Sequence, residues 1–408
     1  MNKIDNYLLK ISEKRINPSL TNFSDALQEL LKEEKNSNFV RFIVGGTNGK
    51  GSTAYFLHEI LKSSGYKTGL LSSPHICTIC ERVLVDSEFS ENQWFEAINN
   101  LLHLIKKYSL TYYESTVLIS YYFFIKNKID IAVMEVGLGG RWDAVRVGSK
   151  PFVIITSIGL DHQNFLGNNR NSIATEKSFL IDNNSIVITG FSDKKIISIL
   201  KKRNPKQLIS YNKNFFSKKL STNRDNFTQK ISYNYLKYNK QFILSNPSNF
   251  WRKNFSTALT AAVNFDSKII NNNNLKNIAE NIKIPGRFER ISYKNKELIL
   301  DVSHNPQGWR ELFHNINNNY NIDKIGFLVG ILKDKNWKKL LKKLNPTNTV
   351  ILLLDNERAI SKREFLQYFP DFNITSDYQK ALDTLNFNTI IITGSFYTVE
   401  QIRCMLQK

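Results

Sequence analysis

Apolar runs alternate with helical patterns along the first half of the chain. Strand-like runs with few polar residues lie at 39–44, 68–71, 129–136, 152–158 and 185–190. Continuous apolar strands separated by helices predict a parallel sheet that is covered by helices on both faces. Ligands of such sheets collect where the strands end, so the polar and glycine residues at those ends are candidate site residues.

The pattern changes twice further along the chain. Residues from about 200 to 245 form short, polar, aromatic-rich stretches, which predict a small antiparallel subdomain. Ile284-Pro285-Gly286-Arg287 then interrupts the chain, and a second strand series follows at 298–301, 325–330, 350–354 and 389–394. We therefore predict two domains, residues 1–285 and a smaller Rossmann-like α/β domain at 286–408.

A glycine-rich loop follows the first strand. Residues 45–53 read Gly-Gly-Thr-Asn-Gly-Lys-Gly-Ser-Thr, and a helical pattern begins at Ser52. The loop N–H groups, the helix N-terminus and the Lys50 ammonium together favour an anionic phosphate, so this segment predicts binding of a nucleoside triphosphate. Gly51 separates Lys50 from the hydroxyl of Ser52, and in this the loop differs from the Walker A pattern.

Composition sets the compartment that we expect. The chain of 408 residues has room for two domains with separate cores. Its first residues lack the apolar stretch of a signal peptide, and no apolar run is long enough to span a bilayer. Three cysteines are too few for a disulfide framework. We expect a cytoplasmic protein without a membrane partner.

The formal net charge of +20 suggests nucleic-acid binding as one interpretation. Lysine is spread along the whole chain beside abundant asparagine and isoleucine, however, and no recognised nucleic-acid-binding module accompanies it. A basic surface also attracts small anionic substrates. We therefore expect small-molecule substrates and no nucleic-acid partner.

Further motifs follow the strands in a fixed order. They are Ser72-Ser73-Pro74-His75, Glu81-Arg82-Val83, Leu110-Thr111-Tyr112-Tyr113-Glu114, Glu135-Val136-Gly137-Leu138-Gly139-Gly140-Arg141, Leu160-Asp161-His162, Glu176-Lys177, Pro285-Gly286-Arg287, Asp301-Val302-Ser303-His304-Asn305-Pro306 and Gly394-Ser395-Phe396. With the loop at Gly46, this series resembles the bacterial bifunctional dihydrofolate synthase/folylpolyglutamate synthases, the folate branch of the Mur ligase superfamily. The resemblance covers most of the chain and implies a P-loop-type parallel sheet flanked by helices, like a Mur ligase central domain.

The resemblance also implies a reaction. A ligase of this family transfers the γ-phosphoryl group of ATP to a pterin-linked carboxylate, and the amine of L-glutamate then displaces phosphate from the acyl phosphate. The implied substrates are ATP, L-glutamate and either dihydropteroate or tetrahydrofolate, and the implied products are dihydrofolate and folylpolyglutamate. We expect a monomer.

Two other functions remain open. A Mur-type cell-wall peptide ligase carries a separate UDP-sugar domain before the phosphate loop, and only 45 residues precede Gly46 here. A non-enzymatic nucleotide- or nucleic-acid-binding protein on a ligase scaffold predicts loss of Lys50, Glu135 or His162, and all three are present.

The resemblance assigns residues to ATP and to metal. The implied ATP-binding residues are Thr47, Asn48, Gly49, Lys50, Gly51, Ser52, Thr53, Asn254, Arg287 and Asp301. Mg²⁺ prefers oxygen ligands, and two sites are implied. Ser52 belongs to one site. Ser73, Glu135 and His162 belong to the other, together with Lys177 as a carbamate derived from CO₂. Lys50, Glu135, His162 and Lys177 are the implied catalytic residues.

The residue types alone leave some of these roles open. Ser73 could cap a turn, His162 could be a structural histidine, and Lys177 could be an ordinary ammonium. A carboxylate such as Glu135 at the end of an apolar strand, in contrast, is costly unless it is paired or metal-bound.

The resemblance places the pterin at Thr111, Tyr113, Asp143 and Ala144, and the incoming glutamate at His304 and Ser395. Two segments depart from the family pattern. Val145-Arg146 replaces Thr-Asn, and Ser178-Phe179-Leu180 replaces Ala-Gly-Ile. These departures predict an altered substrate preference or a local rearrangement rather than loss of activity, because the phosphate and metal motifs are intact.

Overall fold

The computed structural model describes residues 3–13, 19–34, 38–224, 226–333 and 337–406. Within these residues the chain forms two compact units. The larger unit takes in the residues up to Ser221, Lys230–Leu244 and Trp251–Asn281. The smaller takes in Thr222–Gln229, Ser245–Phe250 and the residues from Ile282 onward. The chain therefore passes between the units more than once, and a single domain boundary near residue 286 stays a prediction.

A seven-stranded sheet forms the centre of the larger unit. In sheet order its strands are β3 (Val83–Leu84), β2 (Thr68–Leu71), β4 (Ile131–Glu135), β1 (Val40–Gly45), β5 (Phe152–Ile155), β6 (Ile186–Thr189) and β7 (Gln207–Ser210). Every neighbouring pair is parallel except β2 and β3. The predicted parallel sheet is thus confirmed. The edge strands β3 and β7 escaped prediction because each is short and offers no continuous apolar run.

Helices cover this sheet. They include α1 (Lys3–Ile11), α2 (Thr21–Glu33), α3 (Lys50–Ser63), α4 (Glu91–Lys107), α5 (Tyr112–Lys126), α6 (Gln163–Leu166), α7 (Arg170–Ser178), α8 (Lys194–Lys201), α9 (Asn249–Phe265) and α10 (Asn274–Asn281). Helix α5 is buried around most of its circumference, which its sequence, rich in aliphatic and aromatic residues, allows. Trp94, Phe124 and Met134 belong to the apolar core between helices and sheet. None of the helices among the described residues is long and apolar enough to cross a membrane.

The aromatic-rich segment forms a separate three-stranded sheet with the order β10 (Tyr238–Leu244), β9 (Thr228–Tyr235) and β8 (Phe215–Asn223). Only two residues join β9 to β10, and a connection this short requires antiparallel strands. Residues alternate in burial along β9, and the Tyr233 hydroxyl lies 2.9 Å from the Thr260 hydroxyl of α9. The predicted subdomain is therefore a β-sheet packed on α9.

The smaller unit holds a six-stranded sheet with the order β11 (Arg287–Tyr293), β12 (Lys296–Asp301), β16 (Thr389–Thr393), β13 (Ile325–Val329), β14 (Thr349–Leu352) and β15 (Asn373–Thr375). Only β11 and β12 pair antiparallel. Its helices include α11 (Pro306–Asn319), α12 (Trp337–Leu341), α13 (Lys362–Leu366), α14 (Tyr378–Thr384) and α15 (Phe396–Leu406). The predicted second α/β series is confirmed.

Candidate active site

Hydroxyl groups at the end of β5 fasten the glycine-rich loop that follows β1. Ser157 Oγ accepts from Asn48 N and donates to Asn48 O, both at 2.9 Å. Thr156 Oγ1 donates to Asn48 O at 2.7 Å. Thr47 Oγ1 donates to Gly159 O at 3.1 Å and accepts from Gly159 N at 3.0 Å. The loop is therefore hydrogen-bonded at Thr47 and Asn48 to the segment that follows β5.

Two positions in this loop require glycine. Gly46 has φ +144°, and a Cβ there would lie 2.0 Å from Thr156 Oγ1. Gly49 has φ +87°, and a Cβ there would lie 2.7 Å from Asn254 Oδ1. The Asn254 amide of α9 thus lies directly against the loop. Its Nδ2 is buried and has no hydrogen-bond partner among the described residues, which points to a ligand that supplies an acceptor.

The first turn of α3 starts at Lys50, immediately after Gly49. Gly51, Ser52 and Thr53 are buried in this turn, and Lys50 Nζ donates to Thr47 O at 3.4 Å. The first N–H groups of a helix have no acceptor within the helix and carry partial positive charge. With the Lys50 ammonium added, this helix start suits a phosphate.

Glu135 ends β4, and only 2 % of its surface is exposed. The Ser73 N–H donates to Glu135 Oε2 at 3.0 Å, so the turn after β2 lies against this carboxylate. A buried carboxylate needs compensating positive charge or several hydrogen bonds. Carboxylate and hydroxyl oxygens are ligands that Mg²⁺ and Mn²⁺ accept. A buried carboxylate with Ser73 beside it fits a divalent cation.

Lys177 lies in the last turn of α7 and is buried. Burial, together with the positive charge of Lys50, lowers the pKa of Lys177 to about 7. Asp143, Asp161 and Glu176 act in the opposite direction. The structure therefore places Lys50 and Lys177 near enough for their charges to interact, and it makes the neutral amine of Lys177 accessible near neutral pH.

His162 precedes α6 in the loop after β5, and its side chain is exposed. Its backbone has φ 49°, a left-handed conformation that is uncommon outside glycine and is concentrated at functional sites. The His162 N–H donates to Asp161 Oδ1 at 2.9 Å, and the ring Nε2 lies 4.0 Å from the same oxygen. The structure puts this imidazole at the carboxyl end of the sheet.

Asp143 and Tyr113 bond to each other and to the loop after β4. The Asp143 carboxylate accepts from Leu138 N and Val145 N, both at 3.0 Å. The Tyr113 hydroxyl donates to Asp143 Oδ1 at 3.4 Å and accepts from Gly137 N at 2.9 Å. Burial raises the pKa of Asp143 to about 6 despite these bonds. Both residues therefore shape this loop, whatever else they bind.

Thr111 and Ala144 also have places in the local structure. Thr111 caps α5 in a capping box, and its hydroxyl donates to Glu114 Oε2 at 2.7 Å. Ala144 is buried and begins a short 3-10 turn that ends at Arg146. A role of either residue in pterin binding stays a prediction.

The loops after β4 and β5, together with the short helix α6, expose apolar side chains that the sequence patterns did not predict. The exposed large side chains are Leu138, Trp142 and Leu160 in the loops and Phe165 in α6. Trp142 is 53 % exposed although tryptophan is normally well buried. The sequence did contain a signal for this surface, namely apolar residues inside otherwise polar, glycine-rich loops. Exposed apolar groups of this kind suit the face of a ligand.

A pocket of about 450 Å³ adjoins Trp142. Arg146 and Lys150 line it, together with Ser19, which precedes α2, and Thr21, the first residue of α2. Arg146, one of the positions that depart from the family pattern, therefore borders a pocket. No pattern in the sequence indicated this pocket.

In the smaller unit, Arg287 and Asp301 are register partners across β11 and β12. The Asp301 carboxylate accepts from Phe288 N and Ser303 N, both at 3.0 Å. Burial raises the pKa of Asp301, while the bonds to Ser303 and the charge of Arg287 oppose that rise. The Arg287 guanidinium lies 5.2 Å from the centre of the Phe396 ring.

His304 and Ser395 follow the carboxyl ends of β12 and β16, which are neighbouring parallel strands. His304 Nδ1 lies 2.8 Å from Val302 O, so this nitrogen carries the proton, and the His304 ring packs against Phe396. The Ser395 hydroxyl is buried, accepts from Thr398 N at 3.1 Å and therefore caps the start of α15. A role of Ser395 in glutamate binding stays a prediction.

Comparison with known proteins identifies the family. Residues 44–288 match the Mur ligase middle domain, and residues 286–396 match the Mur ligase, glutamate ligase domain. The chain is 35 % identical over 376 residues to the dihydrofolate synthase/folylpolyglutamate synthase of Buchnera aphidicola subsp. Baizongia pistaciae, an alignment that covers 90 % of this chain and 86 % of the relative.

Solved structures agree in fold. Escherichia coli FolC in complex with DHPP and ADP is 25 % identical with a TM-score of 0.84, covering 99 % of this chain and 96 % of FolC. A bifunctional folylpolyglutamate synthase/dihydrofolate synthase with Mn, AMPPNP and L-glutamate bound has the same identity and TM-score and covers 100 % of this chain and 99 % of its own. The chain therefore belongs to the dihydrofolate synthase/folylpolyglutamate synthase family of Mur ligases.

Proposed function

We propose that this chain joins L-glutamate to a pterin-linked carboxylate at the expense of ATP. The carboxylate oxygen attacks the γ-phosphorus of ATP, which gives an acyl phosphate and ADP. The glutamate amine then attacks the acyl carbon, phosphate leaves with the bonding electron pair, and the amine loses a proton. Dihydropteroate gives dihydrofolate in this way, and further additions extend the folylpolyglutamate chain.

The glycine-rich loop carries this proposal. Thr156 and Ser157 fix its conformation, and Gly46 and Gly49 allow close approach of neighbouring groups. Lys50 lies at the start of the helix that follows. The Asn254 Nδ2, buried without a partner in the described part of the chain, supplies a donor at the same place. Phosphoryl transfer depends mainly on such positioning and on neutralisation of charge. FolC binds ADP, and the second neighbour binds AMPPNP.

Glu135, Ser73, His162 and Ser52 are the residues that would hold divalent metal, and one neighbour binds Mn. A divalent cation, when bound, neutralises charge on the transferred phosphoryl group. We assign Mg²⁺ at two sites, with Lys177 completing the second as a carbamate. The depressed pKa of Lys177 supports this assignment, because only the neutral amine reacts with CO₂.

The remaining assignments concern the other two substrates. The exposed apolar side chains Leu138 and Trp142, next to Tyr113 and Asp143, suit an aromatic pterin, and FolC binds DHPP. Thr111 and Ala144 complete the proposed pterin set. In the smaller unit Arg287 and Asp301 are assigned to ATP. His304 and Ser395 are assigned to glutamate, a ligand that the second neighbour binds. A monomer without a nucleic-acid partner remains our expectation.

One assay tests the reaction. Purified protein is incubated with ATP, Mg²⁺, L-glutamate and either dihydropteroate or tetrahydrofolate, and phosphate release is followed together with the mass of the pterin product. We expect phosphate release that requires both glutamate and a pterin, and a product heavier by one glutamyl residue. Absence of release with either pterin refutes the folate function, and release with a UDP-linked peptide acceptor instead supports the cell-wall alternative.

Asn254→Ala should weaken nucleotide binding. The variant removes the amide that lies against Gly49 and whose Nδ2 has no hydrogen-bond partner among the described residues. We therefore expect KM for ATP to rise about tenfold, the effect of about 1.4 kcal/mol, with little change in thermal stability. Steady-state kinetics with varied ATP and a thermal melt measure the two effects.

Asn264→Ala is the matched control, because Asn264 lies on the same helix but makes its bonds inside the protein. Its amide donates to Thr260 O at 2.7 Å and accepts from the Tyr235 hydroxyl at 2.9 Å. This variant should lower the melting temperature without changing KM for ATP. An unchanged KM for ATP in Asn254→Ala would refute the assignment of Asn254 to nucleotide binding.

A further inference from the structure

Three arginine side chains surround the ring of Phe179, the residue directly after α7. The guanidinium carbons of Arg203, Arg141 and Arg146 lie 3.7, 4.0 and 5.7 Å from the ring centre. Arg141 and Arg146 come from the loop after β4, and Arg203 follows α8. We call these three residues the arginine cluster.

Each arginine holds one neighbour of Lys177. Arg141 Nη2 lies 3.2 Å from Glu176 Oε1, and Arg203 Nε donates to Ser178 Oγ at 3.1 Å. Arg146 Nε donates to Phe179 O at 2.9 Å. The residue before Lys177 and the two residues after it are therefore each bonded to a guanidinium, while Lys177 itself points into the buried interior.

The same loop also touches the backbone at Lys177. A Cβ on Gly140 would lie 2.8 Å from Glu176 O and 3.1 Å from Lys177 Cα, so only glycine lets the loop approach the helix this closely. Arg146 Nη1 donates back to Arg141 O at 3.1 Å, which closes the loop on itself. This loop begins just after Glu135. Its arginines contact the turn of α7 that carries Lys177, so the loop links the position of the Glu135 carboxylate to that of the lysine through direct contacts.

The arrangement is costly as a purely structural device. Three cations lie around one ring and repel one another, and a single described carboxylate, Glu176, is paired with them. Cation–π contacts with Phe179 and hydrogen bonds to fixed acceptors offset part of that cost. An apolar side chain packed against Phe179 in place of an arginine would hold the helix without this electrostatic cost. A guanidinium group, unlike an apolar group, fixes the orientation of its hydrogen-bond partners because it carries several donors in a planar fork.

We propose that Arg141, Arg146 and Arg203 are positioning residues that fix Lys177 relative to Glu135. The proposal rests on the function proposed above, in which Lys177 and Glu135 serve the same metal site. It also connects the two departures from the family pattern. Val145-Arg146 and Ser178-Phe179-Leu180 are far apart in sequence, but Arg146 and Phe179 are in direct contact.

Arg146→Ala tests the proposal by removing two hydrogen bonds of the cluster. We expect kcat for phosphate release to fall about tenfold with KM for ATP unchanged, because displacement of a reactive group affects the chemical step rather than nucleotide binding. In metal-free protein, labelling of Lys177 by an amine-reactive reagent, read by peptide mass spectrometry, should become several-fold faster as the side chain loosens. Arg146→Lys keeps the charge but not the fork of donors, and it should restore only part of kcat.

Arg290→Ala is the matched control, since Arg290 also lies over a phenylalanine and pairs with a glutamate, but in the smaller unit. It should change thermal stability alone. The double variant Arg146→Ala/Arg203→Ala should lose less than the product of the single losses, because both side chains act on the same turn. Arg203→Met replaces Arg146→Ala in every measurement if the latter does not fold.

Wild-type kcat together with wild-type labelling of Lys177 in the arginine variants would overturn the proposal. A fall in kcat that only tracks the loss of thermal stability, as judged against Arg290→Ala, would overturn it as well. Absence of activity in the wild-type protein would instead refute the proposed function, and the labelling experiment would still decide whether the cluster fixes Lys177.

Discussion

Replacement of Glu135 by glutamine is expected to lower kcat about 100-fold while the protein stays folded. Glutamine has the same shape and still accepts from Ser73 N, but it lacks the negative charge that the proposed metal requires. Because a neutral amide is cheaper to bury than a carboxylate, the melting temperature should stay the same or rise. Phosphate release at several Mg²⁺ concentrations, with a thermal melt, measures both effects.

Glu114→Gln provides the control for this prediction. Glu114 also accepts from a backbone N–H, that of Thr111, and glutamine serves equally well at this position of a capping box. Its kcat should therefore stay close to that of the wild type. A wild-type rate with an ordinary Mg²⁺ requirement in Glu135→Gln would refute the assignment of Glu135 to metal.

Removal of the Lys177 side chain in Lys177→Ala should also lower kcat about 100-fold. Because the pKa of Lys177 is about 7, activity of the wild type at fixed dissolved CO₂ should rise as pH increases through that value and the amine loses its proton. The variant should lack this rise. Initial rates between pH 6 and pH 8.5, with and without added bicarbonate, measure the difference.

The buried amine of Lys177 should also make the free energy of unfolding depend on pH, in a direction that its pKa determines. In the unfolded chain Lys177 has its ordinary pKa of 10.5, so between about 7 and 10.5 the unfolded state binds more protons than the folded state. The free energy of unfolding contributed by Lys177 therefore rises with pH across that window. The uncharged, unbranched variant Lys177→Met should be more stable than the wild type near pH 6.5, and this advantage should shrink by pH 9.5.

Lys296→Met is the control, because Lys296 donates its ammonium protons to Leu382 O and Leu385 O in the smaller unit. It should lose stability and keep kcat. Equal kcat values for Lys177→Ala and the wild type would exclude Lys177 from the reaction. The difference in melting temperature between Lys177→Met and the wild type should change with pH. If this difference is the same at pH 6.5 and pH 9.5, the lysine is not buried as described.

The sequence predicted the parts of the fold that depend on continuous apolar runs. The central strands β1, β4, β5 and β6 are buried on both faces and stand out from composition alone. The edge strands β3, β7 and β15 were missed because two to four residues, some of them polar, carry too weak a period. Strand β11 was missed because its residues alternate between half-buried and exposed at a sheet edge.

For the site, the sequence located residues but not their partners. The loop at Gly46 and the carboxylate of Glu135 stood at strand ends, where position alone is informative. That Asn254 lies against Gly49 depends on contacts between residues about 200 apart in the chain, and no local pattern encodes them. The same holds for Arg146 and Phe179, whose contact depends on the packing of the loop after β4 against α7.

The fastening of the glycine-rich loop also bears on the thermodynamics of nucleotide association. Asn48 has both its N–H and its carbonyl bonded to hydroxyl groups of the neighbouring strand, and Thr47 is bonded through its side chain. All of these bonds are made between groups of the protein itself, so they order the loop backbone without any contribution from ATP. Ordering a free segment would cost about 1–2 kcal/mol per residue in conformational entropy. Nucleotide binding at this loop thus carries a smaller entropic penalty, and more of the contact enthalpy appears as affinity.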